Sequence, residues 1–397
     1  MGHSGALVRL DPEALAPHYS RFRVSERLLL TGHSHQAWPD VAFEGQKQAW
    51  LDAAEFADLK WEKAEAKAEL LRQGVTKLLD DPGGHIALAP NTHELVVRFL
   101  SALPLRERSR LVTTDGEFHT IRRQLDRLAE ESVEVVKVAA LPAATLAERL
   151  AGAVDGSTAA VLVSSVLFQN AHIVQGLGGV MEACQGMGAE LLVDAYHQVN
   201  VVPFSISDEG LEQAFVVGGG YKYVQMGEGN CYLRFPSKCA LRPVITGWFS
   251  EFEMLAEEGA KSRTPYGHGP ARFAGATYDP TSHYRAAAVL DFFRAQGMTP
   301  QALRETSQHQ VRLLAESFDG LDADPSVIDR DRSVPLEDVA GFLALRTPRA
   351  GELSAALSER GVMTDYRSDT LRLGPAPYLT DGQLQDAVAV LHDVVVA

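Results

Sequence analysis

The chain has 397 residues, of which 46% are hydrophobic and 22% charged, which is ordinary for a soluble globular protein with one large core or two unequal domains. Its net charge of −15 makes nucleic acid an unexpected partner, because an acidic surface repels phosphate backbones. No apolar run approaches the roughly 18–20 residues that cross a bilayer. The first residues do not resemble a secretory signal, and the three cysteines form no Cys-x-x-Cys pair. We therefore expect a cytoplasmic protein without disulfides.

Residues 41–80 are rich in Ala, Glu, Lys and Leu, which predicts one long helix that ends at the turn DDPGG. Short apolar segments then alternate with helical ones. These segments are HIALA, RLVTTD, VEVVKV, AAVLVSSV, AELLVDAY and AFVVGGG. Because they are apolar almost throughout, they predict an α/β fold whose parallel sheet is covered by helices on both faces.

The pattern changes from about Tyr284 onward. A long helix leads to polar loops, the strand-like segments GFLALRT and LRLGP, and a last helix, which indicates a smaller C-terminal domain. We expect three parts: an N-terminal segment of residues 1–40 that packs with the small domain, a large α/β domain of residues 41–284, and a small domain of residues 285–397.

Several polar and aromatic residues directly follow predicted strands, where open parallel sheets bind their ligands. These are Phe118, Asn170, Asp194 and the segment Gly218–Lys222, which we expect to meet in one crevice. Lys222 lies between two tyrosines after an apolar strand, a poor place for an unpaired ammonium group. Lys222 could be an ordinary surface lysine of a Gly-rich loop. A lysine that forms a Schiff base and an aspartate that pairs with a pyridinium nitrogen are, however, typical of pyridoxal phosphate enzymes.

The segments DAYHQVNVVPF and GGGYKYVQMGEGN resemble class V of the fold-type I pyridoxal phosphate enzymes, and within it kynureninase. The resemblance runs from about residue 30 to about residue 385. It implies a mostly parallel seven-stranded sheet in the large domain, a smaller α+β C-terminal domain, and pyridoxal 5'-phosphate as cofactor. Lys222 matches the Schiff-base lysine, Asp194 the pyridinium partner, and His197 and Tyr221 further positions at the cofactor, where Tyr221 would relay protons. The glycines are then expected to let backbone pass close to the cofactor.

Two further segments resemble cofactor-binding parts of the family. Asn91 and Thr92 match the phosphate-binding pair at a helix N-terminus, where free N–H groups favour an anion, although they could also simply cap the helix. Phe118 matches the phenylalanine that stacks on the cofactor ring; the alternative is a core phenylalanine. Where kynureninase continues with Pro, a hydroxyl residue and Asp, residues 119–121 are His, Thr and Ile, so the polar contacts near the phosphate must differ.

Three other residues match positions around the cofactor. Asn170, in SSVLFQNAHIVQG, is the candidate for the phenolic oxygen. Trp248, in GWFSEFEM, and Thr277, in ARFAGATYDP, are candidates for the phosphate site, in the same or the neighbouring subunit. For Trp248, interface packing is an equal alternative.

The C-terminal segment LRLGPAPYLT resembles the run in kynureninase whose arginine holds the substrate α-carboxylate. Arg372 matches that arginine, and the guanidinium group offers two parallel donors to a carboxylate; the alternative is an ordinary ion pair. LLLTGHSHQAWPD resembles the family's loop near the substrate, which makes His33 and Ser34 substrate-binding candidates. His33 and His35 could form a metal pair, but no further ligands occur at a suitable spacing, so we predict no metal site.

The resemblance implies a homodimer with shared active sites and an α-amino acid substrate. The expected reaction is hydrolytic Cβ–Cγ cleavage of L-kynurenine or a related substrate, which gives an anthranilate-type product and alanine. Two alternatives stay open: a class V aminotransferase, and a β-lyase of the cysteine desulfurase-like group. Desulfurases of this class use a cysteine in the C-terminal third, and no cysteine follows Cys239.

Overall fold

The computed structural model of the chain describes residues 9–81, 83–255 and 263–396. Its strands are β1 (Leu28–Leu29), β2 (His85–Ala89), β3 (Arg110–Thr114), β4 (Glu134–Val138), β5 (Thr158–Ser164), β6 (Glu190–Asp194), β7 (Phe215–Gly219), β8 (Cys231–Phe235), β9 (Asp329–Arg330), β10 (Leu343–Arg346), β11 (Val362–Met363), β12 (Asp365–Arg367) and β13 (Thr370–Leu373). Seven of them form the main sheet in the order β2-β8-β7-β6-β5-β3-β4. Strand β8 runs antiparallel to both of its neighbours, and the other neighbouring pairs are parallel. The predicted seven-stranded, mostly parallel sheet is confirmed.

The α-helices are α1 (Pro12–Leu15), α2 (Asp40–Phe56), α3 (Lys60–Leu78), α4 (Thr92–Ala102), α5 (His119–Ala129), α6 (Leu146–Ala153), α7 (Leu177–Met187), α8 (Thr281–Ala295), α9 (Pro300–Asp319), α10 (Ala350–Glu359) and α11 (Asp381–Val396). Short 3₁₀ segments include Trp248–Met254 and Gly269–Phe273. Within the described ranges, none of the helices has the length and apolar character that a membrane crossing requires.

The central strands are buried on both faces, which explains their apolar sequences. All seven residues of β5 are buried. Val161 and Val163 belong to one hydrophobic cluster, which includes residues of α6 and α7. Ala160 and Leu162 belong to a second cluster, with residues of α4 and α5. This two-residue alternation places one layer of helices on each side of the sheet.

The prediction of one continuous helix over residues 41–80 is wrong. The chain forms α2 and α3, separated by the 3₁₀ segment Ala57–Leu59, and Ala57 has a φ of 47°. Both helices pack against α8. Alanine and leucine are good helix formers throughout this region, so local composition carries no sign of a break that tertiary packing imposes. Pro82, in the predicted turn, lies outside the described residues.

A second sheet, of order β12-β13-β10-β9, is antiparallel and lies in the C-terminal part of the chain. Strand β1 pairs in parallel with β11, and the Gly32 N–H donates to the Gly374 carbonyl (2.8 Å). These contacts hold the described part of the N-terminal segment against C-terminal elements. The boundary expected near residue 284 falls inside α8, so the division into 1–40, 41–284 and 285–397 stays a prediction.

A buried ion pair joins the loop before β2 to strand β8. Arg234 Nε and Nη2 donate to the two carboxylate oxygens of Asp81 at 2.8 and 2.9 Å. Burial disfavours the charged carboxyl, but the arginine outweighs it and the pKa of Asp81 lies below its ordinary value. Arg234 also donates to the carbonyls of Glu212 and Ala214. This arginine therefore depends on Asp81 for charge compensation.

We expect Asp81→Asn to lower the free energy of unfolding by about 3–5 kcal/mol, because it leaves the Arg234 charge buried without its partner. Urea unfolding followed by circular dichroism measures the change. Asp58→Asn, at an exposed position, is the matched control and should stay within about 0.5 kcal/mol. Equal urea midpoints for the two variants would contradict this assignment.

Candidate active site

The carboxyl ends of the parallel strands bring the predicted residues together. Asp194 is the last residue of β6, Lys222 follows β7, and Phe118 follows β3. Lys222 Nζ lies 5.2 Å from the centroid of the Phe118 ring. The charge of Lys222 also lowers the pKa of Asp194, although burial raises that pKa more strongly. The strand ends therefore bring these three residues close together, as expected.

Lys222 is 5% exposed, and its surroundings favour a neutral amine. Burial is the main cause that lowers the pKa of Lys222 to about 7. Its Nζ lies 2.8 Å from Nε2 of His197, whose own pKa is well below its ordinary value because the ring is buried. The rings of Tyr196, Phe118 and Tyr221 surround Nζ at 4.6, 5.2 and 5.6 Å. A neutral amine at physiological pH is a competent nucleophile and base.

Asp194 is buried with little to compensate its charge. Its Oδ1 accepts the N–H of Tyr196 at 3.0 Å. In the part of the chain that the structure describes, the carboxylate forms no ion pair, and burial raises its pKa. A buried carboxylate of this kind is stable only with a cationic partner. A protonated pyridine nitrogen would supply that partner.

The last two residues of β7, Gly218 and Gly219, accommodate tyrosine rings. A Cβ added to Gly218 would lie 2.3 Å from the hydroxyl of Tyr232, and one added to Gly219 would lie 2.3 Å from the hydroxyl of Tyr196. The expectation that the glycines also let the backbone pass close to the cofactor stays a prediction. They admit the aromatic rings, and Tyr196 in turn lies against Lys222 Nζ.

The segment at the start of α4 caps its helix. The Asn91 side chain accepts the N–H of Glu94 at 2.9 Å, and Thr92 is the first helical residue. The cap orients a helix N-terminus at the end of β2, on the same edge of the sheet as Lys222. Its positive end suits an anion such as a phosphate, so the cap and the proposed phosphate contact are compatible.

Three other predicted residues form local contacts. Asn170 Oδ1 accepts the N–H of His172 at 3.1 Å, which stabilises the turn after β5. Trp248 Nε1 donates to Thr277 Oγ1 at 3.2 Å, and the tryptophan is 44% exposed. The structure thus brings Trp248 and Thr277 to each other, on a surface of the chain. Their contact with a phosphate stays a prediction.

Arg372 is buried beside Asp365, which sequence reasoning missed. Arg372 Nε donates to Asp365 Oδ1 at 2.8 Å, Nη2 donates to Oδ2, and Nη1 donates to the carbonyl of Phe168 at 2.6 Å. His33 Nε2 lies 2.7 Å from the same Asp365 oxygen. Burial lowers the pKa of His33 to about 4, so the ring is neutral and donates this hydrogen bond. The alternative of an ion pair is therefore present, but the pair is buried and holds the guanidinium group in one orientation. Three of the five N–H groups are used in these contacts, and two are left for another acceptor.

Tyr221 packs against the N-terminal segment of the chain, which contains Ser34 and His35. The Tyr221 ring stacks on His35 at 4.8 Å and lies 4.9 Å from the ring of Tyr196. Burial raises the pKa of Tyr221 to about 12, so its hydroxyl keeps its proton and can donate. Ser34 Oγ donates to the Thr31 carbonyl at 3.1 Å, which stabilises the loop that carries Ser34 and His35.

Sequence reasoning also missed Glu117, directly before Phe118. Its carboxyl accepts hydrogen bonds from Thr114 Oγ1 (2.7 Å), Ser164 Oγ (2.6 Å) and the Ser164 N–H (3.2 Å). Burial raises the pKa of Glu117 to about 7. Ser164 pairs with Asp194 in the sheet register. Glu117 thus joins the ends of β3 and β5 and fixes the loop that carries Phe118. The motif GEFHT contained it, but only the fold shows what it contacts.

One thiol lies behind the rings at Lys222: Cys231 Sγ is 3.9 Å from the hydroxyl of Tyr196. Cys184 and Cys231 are buried, and burial raises the pKa of each to about 12. Cys239 lines a separate cavity with Glu190 and Phe215, which begin β6 and β7 and so lie at the opposite edge of the sheet. Within residues 9–81, 83–255 and 263–396, no three His, Cys, Asp or Glu side chains are grouped to hold a metal ion.

Residues 329–391 match the family model of the kynureninase C-terminal domain. An uncharacterised aminotransferase of Bacillus subtilis, YcbU, is 24% identical over 345 residues, which cover 86% of this chain and 87% of the relative. The kynureninase of Geobacillus thermodenitrificans is 22% identical over 321 residues, which cover 77% of this chain and 71% of that enzyme.

Solved structures show the same fold. A mutant of C-DES with glycine covalently linked to its PLP cofactor matches with a TM-score of 0.81 at 19% identity, covering 96% of this chain and 99% of the other. The apo cysteine desulfurase of Thermococcus onnurineus matches with a TM-score of 0.80 at 15% identity, covering 98% of both chains. At these identities the structural likeness establishes the fold alone.

The fold is that of the fold-type I pyridoxal phosphate-dependent enzymes, and it places a buried lysine and a buried aspartate at the carboxyl edge of the sheet. The sequence matches support a class V enzyme of that group that is related to kynureninase. Its cofactor is pyridoxal 5'-phosphate, and the buried, uncompensated carboxylate and the neutral lysine amine fit that group.

Proposed function

We propose that this enzyme binds an α-amino acid and catalyses a kynureninase-like hydrolysis, in which L-kynurenine or a related substrate and water give anthranilate or a related product and alanine. The observation that supports it most is the buried pair of Arg372 and Asp365, within the segment that matches the kynureninase C-terminal domain. That pair presents a guanidinium group, already oriented, to the side of the crevice that holds Lys222. Amino acid substrates carry the carboxylate that such a group binds.

Each residue then has a definable task. Lys222 would hold the cofactor covalently and, when released, would take the proton from the substrate α-carbon, since its amine is neutral near pH 7. Asp194 would keep the ring nitrogen protonated. When bound, pyridoxal phosphate supplies the electron sink that allows bonds near the substrate α-carbon to break. Tyr221 would donate and recover a proton at the phosphate side.

Other side chains around these groups would position the cofactor and keep water out of the site. Phe118 would cover one face of the ring, held by the hydrogen bonds of Glu117. The start of α4, with Asn91 and Thr92, would receive the phosphate. His197, neutral and buried, would contact the cofactor from the side of Asp194. The aromatic rings at Lys222 keep water away, which strengthens every polar contact inside.

We also propose a homodimer with shared sites. An apolar surface of Val244, Ile245, Trp248 and Phe252 is 82%, 55%, 44% and 57% exposed. Exposed apolar residues in such a cluster are typical of protein interfaces. Because Trp248 also contacts Thr277, this surface would carry both residues to the phosphate site of a second copy.

An aminotransferase is the second candidate function. Its support is the likeness to YcbU, which covers more of this chain than the likeness to the kynureninase does. Both reactions would begin in the same way. Arg372 would bind the substrate carboxylate, Lys222 would remove the α-proton, and Asp194 would keep the ring nitrogen of the cofactor protonated. The two reactions differ in what happens to the side chain of the substrate, which these residues do not determine.

The test incubates cofactor-loaded enzyme with L-kynurenine and follows anthranilate fluorescence and alanine. We expect both products in equal amounts, and no product in a Lys222→Ala blank. If anthranilate is absent while added pyruvate gains the amine of the substrate, the protein is an aminotransferase. If neither product forms although the cofactor is bound, L-kynurenine is rejected as the substrate of either reaction.

A further inference from the structure

One face of the small antiparallel sheet gathers the charged groups of the crevice. The register pairs Asp365 with Arg372 and Arg367 with Thr370. Directly paired residues share a face, and so do residues two apart on one strand. The four side chains therefore project together. Gln169 Nε2, from the segment after β5, donates to Thr370 Oγ1 at 3.4 Å, so this face is directed at the carboxyl edge of the large sheet.

The two arginines of this face differ in how many donors they still offer. Arg372 uses Nε and Nη2 on Asp365 and Nη1 on the Phe168 carbonyl. Arg367 donates to the Tyr366 carbonyl at 2.7 Å and lies 3.6 Å from Asp365, and its side chain is 40% exposed. Since a guanidinium group has five N–H donors, Arg367 keeps most of its own free.

The charges of the face do not cancel. Asp365 is ionised and balances one arginine, while His33 is neutral because burial lowers its pKa to about 4. These four side chains and His33 together therefore carry one net positive charge, and the Asp369 carboxylate lies beside them, its Oδ1 accepting a hydrogen bond from Thr370 Oγ1 at 3.4 Å. Burial is the largest cause that lowers the pKa values of His197 and Lys222, and the charge of Arg367 adds a smaller contribution. Arg367 Nη1 lies 3.6 Å from Asp365 Oδ2, the oxygen that accepts from Arg372 Nη2, so both guanidinium groups flank the same carboxylate.

We propose that Arg367 is a second residue that recognises the substrate carboxylate. Arg372, fixed by Asp365, gives that carboxylate its orientation, and Arg367 supplies the charge that Asp365 has cancelled. Without Arg367, a carboxylate would enter a face with no net charge. This inference rests on the proposed function, since it concerns the same amino acid substrate.

The experiment compares two ligands that differ only in the carboxylate. Cofactor-loaded enzyme is titrated with L-alanine and with L-alaninamide, and binding is followed by the change in the visible spectrum. The variants are Arg367→Gln and Arg367→Lys. The matched control is Arg349→Gln, an arginine that pairs with Glu352 at the start of α10, also in the C-terminal part of the chain.

We expect Arg367→Gln to weaken binding of L-alanine about tenfold and that of L-alaninamide less than about twofold, with the lysine variant between. Raising KCl from about 0.05 to 0.5 M should weaken L-alanine binding more in the wild type than in Arg367→Gln, since screening removes the same attraction. Equal losses for both ligands, or no loss for either, would overturn the role of Arg367. A wild-type spectrum that neither ligand changes would instead reject the proposed function, and the inference with it.

Discussion

Replacing Lys222 by alanine is expected to remove the visible absorbance of the cofactor-loaded protein and to lower turnover by about 10³–10⁴-fold or more. The reason is that Lys222 Nζ is buried at the carboxyl edge of the sheet, beside His197 and Phe118, and burial lowers its pKa to about 7, so that a large fraction of the amine is neutral near that pH. Its neighbours His197 and Tyr196 cannot replace it, because an imidazole and a phenol do not form a Schiff base with an aldehyde as a primary amine does. Absorbance after incubation with pyridoxal phosphate and gel filtration measures the loss.

Lys238→Ala is the matched control, since Lys238 is exposed in the loop after β8 and should leave the band intact. The same measurement over pH tests the state of the amine. The pKa of Lys222 is lowered to about 7, so the nucleophilic neutral form grows as pH rises through 7. Cofactor uptake by apoprotein should therefore quicken between about pH 6 and 8. A band that survives in Lys222→Ala would reject Lys222 as the attachment point.

Strand-end positions explain why the centre of the site could be predicted. Lys222, Asp194 and Phe118 each follow an apolar segment whose length and composition mark a buried parallel strand. Topology alone then brings strand ends together at one edge. The fold class followed from the same alternation of apolar and helical segments. Strand β8 was missed because it follows a Gly-rich loop and runs against the direction of its neighbours.

The supporting residues could not be predicted, because their partners are distant in the chain. Asp365 is one of many acidic residues until the fold places it against His33, 332 residues away, and until the pairing of β12 with β13 sets it opposite Arg372, 7 residues along the chain. Glu117 likewise gains its meaning from Ser164, 47 residues along the chain. The break between α2 and α3 has the same origin, since packing on α8 and not local propensity decides it. The candidate reacting residues Lys222 and Asp194 could therefore be predicted from the sequence, whereas Asp365 and Glu117, which position other residues, are recognised only from tertiary contacts.

Asp194→Asn should separate cofactor binding from catalysis. The amide oxygen can still accept the N–H of Tyr196, so the buried position stays satisfied and the fold is retained. What is lost is the negative charge, in surroundings dry enough to raise the pKa of the native carboxyl.

We expect the visible band of Asp194→Asn to persist, and turnover of any accepted amino acid to fall by about 10²–10³-fold, the usual cost of removing a buried electrostatic contact to a reacting group. Asp386→Asn, an exposed substitution on α11, is the control and should keep full activity. Cofactor titration and turnover, measured on the same preparations, distinguish the two effects. If Asp194→Asn kept its turnover, the carboxylate would be a structural group, and the cationic partner that its burial demands would have to be Lys222 itself.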